Sequence, residues 1–399
     1  MFKILNESIK SFFKKPESLI YVAFVSIFLH FAITTLVILT LGVIILAKKE
    51  MRQAAFSYKG RLVFSVFTLY TVFIATIYGN FIGVGCSILF FLIITISYYA
   101  RSVLRLKIFE NGLDICCVMS IIIAPCAIID KLFNLGSSGY RCTLWFFNTN
   151  YLATIMATVI IICAYKVVSY NSHVLFYYIT AFCCAVTMYL CGSMFAFVEI
   201  LVGLFILLFL NRKHFLLGVF LFVVCFCLVI LYCVPEIFPR LSESNITTEN
   251  RITIWNTSMG LIQKSPFFGH GFLSYYFLLK SIPDAYPSTH AHNFALEPIL
   301  SFGVIGTVML LIFLWSYFKK VIECKELLRN NKITLLILSV STAIIVHATT
   351  DMTMLWVQTG LLYALVFAGI GIDERALNKR VLACVKRSEK FNLTNSKEE

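Results

Sequence analysis

Long apolar runs separated by short polar connections dominate the chain. They extend over Leu62–Tyr78, Phe81–Ala100, Leu113–Phe133, Tyr151–Tyr165, Val174–Leu190, Met194–Leu210 and Phe215–Val234, and after a wide gap over Phe294–Phe318, Ile333–Val346 and Thr353–Ile370. Most approach the roughly 20 residues that carry a helix across the hydrocarbon of a bilayer. The first run, Leu19–Ala47, is long for one such helix and short for two. Its flanks decide between them. Lys3, Lys10, Lys14 and Lys15 precede it, and Lys48, Lys49, Arg52, Lys59 and Arg61 follow it. Basic residues in short loops favour the cytoplasmic side, so the run must go out and return as a tight hairpin of two short helices.

With that choice the remaining charges sort themselves. The cytoplasmic side receives Arg101, Arg105, Lys107, Lys166, Arg212, Lys213, the stretch from Lys319 to Lys332 and the tail from Arg375 to Lys397. The opposite side keeps Lys131, Arg141, Arg240, Arg251, Lys264 and Lys280 out of 33 basic residues. The pattern predicts an all-α integral membrane protein with about twelve transmembrane helices, one long extracytoplasmic loop and both termini in the cytoplasm. Residues 1–134 form the first group of spanning helices, 135–372 a core that includes the outer loop 235–293, and 373–399 a basic cytoplasmic tail.

Composition agrees. Sixty per cent of the 399 residues are hydrophobic, 13% are charged, and the mean hydropathy is +0.88. A soluble domain carries about a quarter charged residues, and a single water-soluble core stops growing at about 250–300 residues. The net charge of +13 comes in short clusters between apolar runs and not as one face or tail, which argues for a bilayer and against nucleic acid. The 14 cysteines mostly lie inside apolar runs, with no Cys-x-x-Cys pair and no Cys–His metal spacing, so they read as small core residues. The basic N-terminus precedes an apolar stretch too long for a cleavable leader, which is expected to remain as an anchor.

The informative part is the outer stretch Pro235–Asn293. It holds five of the eight prolines: Pro235, Pro239, Pro266, Pro283 and Pro287. Within it Ile252, Trp255, Met259 and Ile262 follow helical spacing and predict an amphipathic helix lying on the bilayer or the bundle, ended by Pro266 and Gly269-His270-Gly271. No independent apolar core is expected there. Three outer features carry candidate chemistry: Arg141 in the loop Asn134–Asn150, Arg251 with Trp255 running on to Ser265-Pro266-Phe267-Phe268-Gly269-His270-Gly271, and His290-Ala291-His292-Asn293 with Gly303 to Gly306 downstream.

The order Arg-x-x-x-Trp, Ser-Pro-x-x-Gly-x-Gly, then His-Asn with Gly-x-x-Gly resembles the bacterial O-antigen polymerase and ligase superfamily, over roughly Arg141 to Leu310. The resemblance implies a membrane glycosyltransferase of the bacterial plasma membrane that moves glycan from an undecaprenyl-diphosphate carrier, inverting and metal-independent, with no cofactor. It implies a lipid-linked donor, a glycan acceptor and a chain-length regulator protein as partners. Arginine binds phosphate oxygens bidentately and stays charged, so Arg141 and Arg251 are the expected diphosphate contacts, with Arg240 a third. Histidine titrates near physiological pH. His292, directly before asparagine as in the family, is the expected base and His290 the second choice, while Asn293 orients the imidazole or caps the next helix. Glu199 and Asp351 are ionisable groups in or beside spans and are candidates for acceptor hydroxyls or for pairing with arginine. The chain departs from the family where Cys191-Gly192-Ser193-Met194 puts methionine at the place of an arginine.

Three acceptors fit the resemblance: a further repeat unit, as in a polymerase, a lipid-A core, as in a ligase, or a protein. A polysaccharide flippase or transporter is the competing class. Such a protein is expected to show repeated halves with interrupted helices and midplane polar sites; this chain shows no internal repeat and gathers its arginines and histidines on one face.

Overall fold

The computed structural model describes residues 15–372 except 59, 138, 235, 237–243, 283–284 and 324–330. Among them every regular element is helical. In chain order these are α1 (Pro16–Ser26), α2 (Phe31–Ala47), α3 (Lys49–Ala55), α4 (Arg61–Ile77), α5 (Phe81–Val103), α6 (Leu106–Phe133), α7 (Thr149–Tyr170) and α8 (Val174–Cys191). There follow α9 (Met194–Leu210), α10 (His214–Cys233), α11 (Ser244–Lys264), α12 (Ser274–Leu278), α13 (Leu296–Glu323), α14 (Lys332–Ala348) and α15 (Val357–Phe367). Six are long and apolar enough to cross a membrane: α5, α6, α7, α8, α10 and the Leu296–Ser316 part of α13. Shorter apolar helices, α1, α4, α9, α14 and α15, stand beside them, and α2 meets α3 at a bend of 103°. The chain is a multi-pass membrane protein.

The first apolar run does break in two. The chain turns at Ile27–His30, Thr34 Oγ1 donates back to Ser26 O at 2.6 Å, and Gln358 Nε2 donates to Ile27 O and Leu29 O at 3.1 and 2.7 Å. Carbonyls left open by a turn need donors where water is scarce, and Gln358, fully buried, supplies them. α7 is the central helix, buried along most of its length, whereas α10 buries none of its residues and presents apolar side chains all round. One apolar cluster runs from Ile20 to Ile372 through the bundle.

The connections gather into two groups. In one, the turn at Phe28 takes a hydrogen bond from Trp145 Nε1 (3.0 Å), the turn at Asn80 donates to His270 O and Phe272 O (3.1 and 2.9 Å), and Phe294 N donates to Ala348 O (2.9 Å). In the other, Tyr58 stacks on Tyr98 beneath the Arg101 guanidinium, and Lys332 lies over Tyr170. Near the second group Lys166 Nζ sits 2.6 Å from Glu110 and 2.7 Å from Asp114. A buried ammonium is tolerable only with such partners.

Two expectations about the outer stretch need correction. α11 does form, but its buried face is Ile254, Ser258 and Leu261, with Trp255 and Ile262 at the edges; Ile252 and Met259 point outward. The stretch also has a small core of its own, Ile254, Leu261, Tyr275 and Ala291 closed by Leu300 of α13. The helix packs against protein on one side, so its register follows that cluster and not the full apolar stripe.

Candidate functional site

Glycine geometry builds the floor of this region. α13 is interrupted at Gly303, whose φ of 63° and ψ of −175° are non-helical. The amides released by the break donate to the preceding loop: Val304 N to Pro266 O (2.9 Å) and Ile305 N to Phe267 O (3.2 Å). In return His270 N and Gly271 N donate to Ser301 O at 3.2 and 2.8 Å. A Cβ on Gly303 would collide with Phe267 O, and one on Gly269 would stand 2.5 Å from Ser301 O. The Ser-Pro-x-x-Gly-x-Gly and Gly-x-x-Gly motifs are thus two halves of one joint, which tyrosine supports: Tyr70 Oη donates to Phe268 O and Phe302 O. His270 is buried in this joint against the Tyr78 ring, and burial lowers its pKa.

Just before α13 the chain carries the histidines. Ala291 N donates to Glu297 Oε2 (2.7 Å) and Ser301 Oγ to Glu297 Oε1 (2.8 Å), so an acid in the first turn of the helix holds the loop from below. Asn293 caps the helix, its Oδ1 accepting from Ala295 N and Leu296 N at 2.9 and 3.2 Å. His292 adopts the left-handed conformation (φ 50°), a position that costs a non-glycine residue of order 1–3 kcal/mol and tends to mark function.

The two histidines meet at Asp351, a fully buried carboxylate in the turn after α14. His290 Nε2 lies 3.3 Å and His292 Nδ1 3.2 Å from Asp351 Oδ1. Neither Asp351 Oδ1 nor His292 Nδ1 has an aligned hydrogen bond in this state. Asn150 Nδ2 donates to Asp351 Oδ2 at 2.5 Å. Burial alone would raise the Asp351 pKa, but the adjacent His292, then His290 and His347, outweigh it and hold the carboxyl below its usual range. Burial, reinforced by the neighbouring His292, lowers His290 to about 3, against the opposing pull of Asp351. His290 is therefore neutral. Its Nδ1 accepts the backbone N–H of His292 (3.1 Å), so its one proton sits on Nε2, facing Asp351.

That proton also answers whether the cluster holds a metal. The donor atoms of His290, His292 and Asp351 lie within 4.8 Å of one another, close enough for a shared ion after small movements. A ligating imidazole must offer a lone pair and usually donates its other N–H. His290 does the reverse, because its Nδ1 is an acceptor. The donor set as arranged does not fit a three-ligand metal site.

The arginines stand beside this cluster. Arg141 Nε donates to Cys191 O (2.8 Å) and Nη2 to Asn150 Oδ1 (3.2 Å). Asn150 therefore bridges Arg141, an expected diphosphate contact, to Asp351, expected to meet acceptor hydroxyls or to pair with an arginine. The Arg251 guanidinium lies 5.0 Å over the Phe195 ring, so both arginines border the α8–α9 turn that leads into Met194. Glu199 sits elsewhere: it is fully buried in α9, with Oε2 2.7 Å from His347 Nδ1. Arg240 lies outside the described residues. Sequence reasoning missed Asn150 and His347 as partners. Asn150 opens a helix, where asparagine ordinarily reads as a cap, and no local signal links it to an acid 201 positions away.

Residues 179–311 match the family model described as O-antigen ligase. The match runs from α8 to the middle of α13 and takes in Arg251, His290, His292 and Asn293 along with both glycine motifs, and it supports placing the chain in the O-antigen polymerase and ligase superfamily. Arg141, Asn150 and Asp351 come from outside the matched stretch. Among curated proteins none matches the chain.

Proposed function

We propose that the protein transfers glycan from a lipid-linked diphosphate to an acceptor hydroxyl on the outer face of the plasma membrane, with His292 as base. The supporting observation is the division of labour at Asp351. Both nitrogens of His290 are engaged, one with the His292 amide and one with Asp351. His292 spends only Nδ1 on Asp351, so its proton belongs there and Nε2 keeps a lone pair. Its side chain is 23% exposed against 3% for His290, so His292 alone of the pair can reach a substrate.

In the reaction His292 Nε2 takes the proton of the acceptor hydroxyl as its oxygen bonds to the anomeric carbon. The carbon–oxygen bond to the diphosphate breaks from the opposite side, inverting the centre, and the electron pair leaves with the diphosphate. Arg141 and Arg251 neutralise that growing charge. The imidazolium of His292 is stabilised by Asp351, which Asn150 holds in place. Catalysis by this scheme needs no metal. The α9-side arginine that the family would supply is absent, and Arg240 is the residue proposed to share its load. Twelve spans with both termini inside put this cluster outside, where a carrier-bound glycan is displayed.

The test is His292→Ala in purified full-length protein, assayed with lipid-linked oligosaccharide extracted from the source membranes. Loss of about 100-fold or more in turnover is expected, the scale of a missing general base, with donor binding retained. Full activity in that variant would remove the base assignment. Product length separates the two acceptors: a ladder of repeats marks a polymerase, single additions to a lipid core a ligase. The family description favours the ligase, while the His-Ala-His-Asn and Gly-x-Gly pattern inclines to a polymerase.

A further inference from the structure

Below Asp351, α7 carries polar side chains one turn apart, each meeting a partner from another part of the fold. Asn150 donates to Asp351, Thr154 Oγ1 lies 3.2 Å from His347 Nδ1, and Thr158 Oγ1 donates to Glu199 Oε1 at 3.5 Å. Steps of four keep all three on one face of the helix. The file ends at the 2.7 Å contact between Glu199 and His347. Glu199 is sealed from the surface, so it cannot bind substrate. An ionisable group at such depth is costly unless paired and marks function by default.

His347 is the link back to the site. Its ring is gripped by α9 and α7, while its backbone carbonyl accepts the N–H of Thr350 (3.0 Å) and of Asp351 (3.1 Å). The same α9 carries Phe195, one turn before Glu199, beneath the Arg251 guanidinium and 6.4 Å from the His347 ring. We propose that Glu199 is a positioning residue for glycosyl transfer, acting through His347 to fix the Asp351 turn and thereby the His292 ring. The inference rests on the reading of His292 as base. What the position requires is an oxygen that accepts from His347 Nδ1–H, and a glutamine oxygen meets that requirement as well as a carboxylate. A shift of about 1 Å in a catalytic group costs on the order of 100-fold in rate.

The experiment compares Glu199→Leu and Glu199→Gln in the full-length protein, with the same lipid-linked substrate. Glu199→Leu should lower kcat at least about tenfold with donor KM unchanged, and Glu199→Gln should restore most of the rate. A purely structural role would lower the amount of folded protein and leave kcat per folded molecule intact. Unchanged kcat in Glu199→Leu, or a folded Glu199→Gln as slow as Glu199→Leu, overturns the proposal. Should the leucine variant not fold, Thr154→Val removes the other oxygen on His347 Nδ1 at nearly constant volume; a several-fold loss of kcat supports the proposal and no loss overturns it. An active His292→Ala would sink the base reading itself. An inactive His292→Ala beside a fully active Glu199→Leu sinks this inference alone.

Discussion

At the scale of single residues, His290 and His292 show how position in a hydrogen-bond network separates two identical side chains. Both contact one carboxylate oxygen, but only His292 retains a free nitrogen. The buried, neutral His290 has a measurable consequence for stability. Its pKa falls from 6.5 to about 3 on folding, so the unfolded chain binds a proton below pH 6.5 that the folded chain refuses. Stability is therefore fully present above pH 6.5 and declines as pH drops toward 3, by about 2 kcal/mol at pH 5. The lowered Asp351 acts in the same direction at still lower pH. Thermal unfolding in detergent should show this slope, and His290→Asn should flatten it between pH 6.5 and 5. Excess chelator should leave transfer rates unchanged, since the proposed mechanism uses only proton handling and arginine charge; a rate lost to chelator and restored by a divalent ion would overturn that mechanism.

At the scale of elements, the joint between the Ser265–Gly271 loop and the broken α13 is the feature most exposed to a single substitution. Two glycines lie where a side chain would meet backbone, and Gly303 also needs a left-handed φ. Gly303→Ala should destabilise the protein by a few kcal/mol, combining backbone strain with loss of the Val304 and Ile305 hydrogen bonds, as read from the unfolding temperature. Gly218 in α10 gives the contrast, because a Cβ there would meet nothing within 4 Å: Gly218→Ala should be neutral or slightly stabilising. The motifs behind this joint were legible as glycine pairs at fixed offsets. Their mutual docking was not, because it joins segments about thirty residues apart through backbone atoms, which carry no sequence signal.

At the scale of the molecule, the prediction concerns sides. The turns at Phe28, Asn80, Cys191, His292 and Asp351 fall in one group of contacts, and the turn at Tyr58 with the helix-end residues Arg101, Lys166 and Lys332 in the other. The second group is the basic one, so it should face the cytoplasm. A cysteine introduced by Ser288→Cys should react with a membrane-impermeant maleimide on intact cells, and one introduced by Ser57→Cys should react only after permeabilisation. The reverse labelling would place the cluster in the cytosol and remove the transferase mechanism.

The sequence by itself determined that this is a helical membrane protein, where most of its apolar helices begin and end, and which histidines and arginines share the long stretch between residues 235 and 293. Those properties follow from hydropathy, charge placement and motif order, all of which are local along the chain. Only the tertiary structure decided that Asp351 gathers both histidines, that Asn150 ties Arg141 to it, that Glu199 serves His347, and which face of α11 is buried. Each of these depends on which helices become neighbours, and packing selects neighbours through shape and hydrogen bonding between residues too far apart for any local pattern to connect.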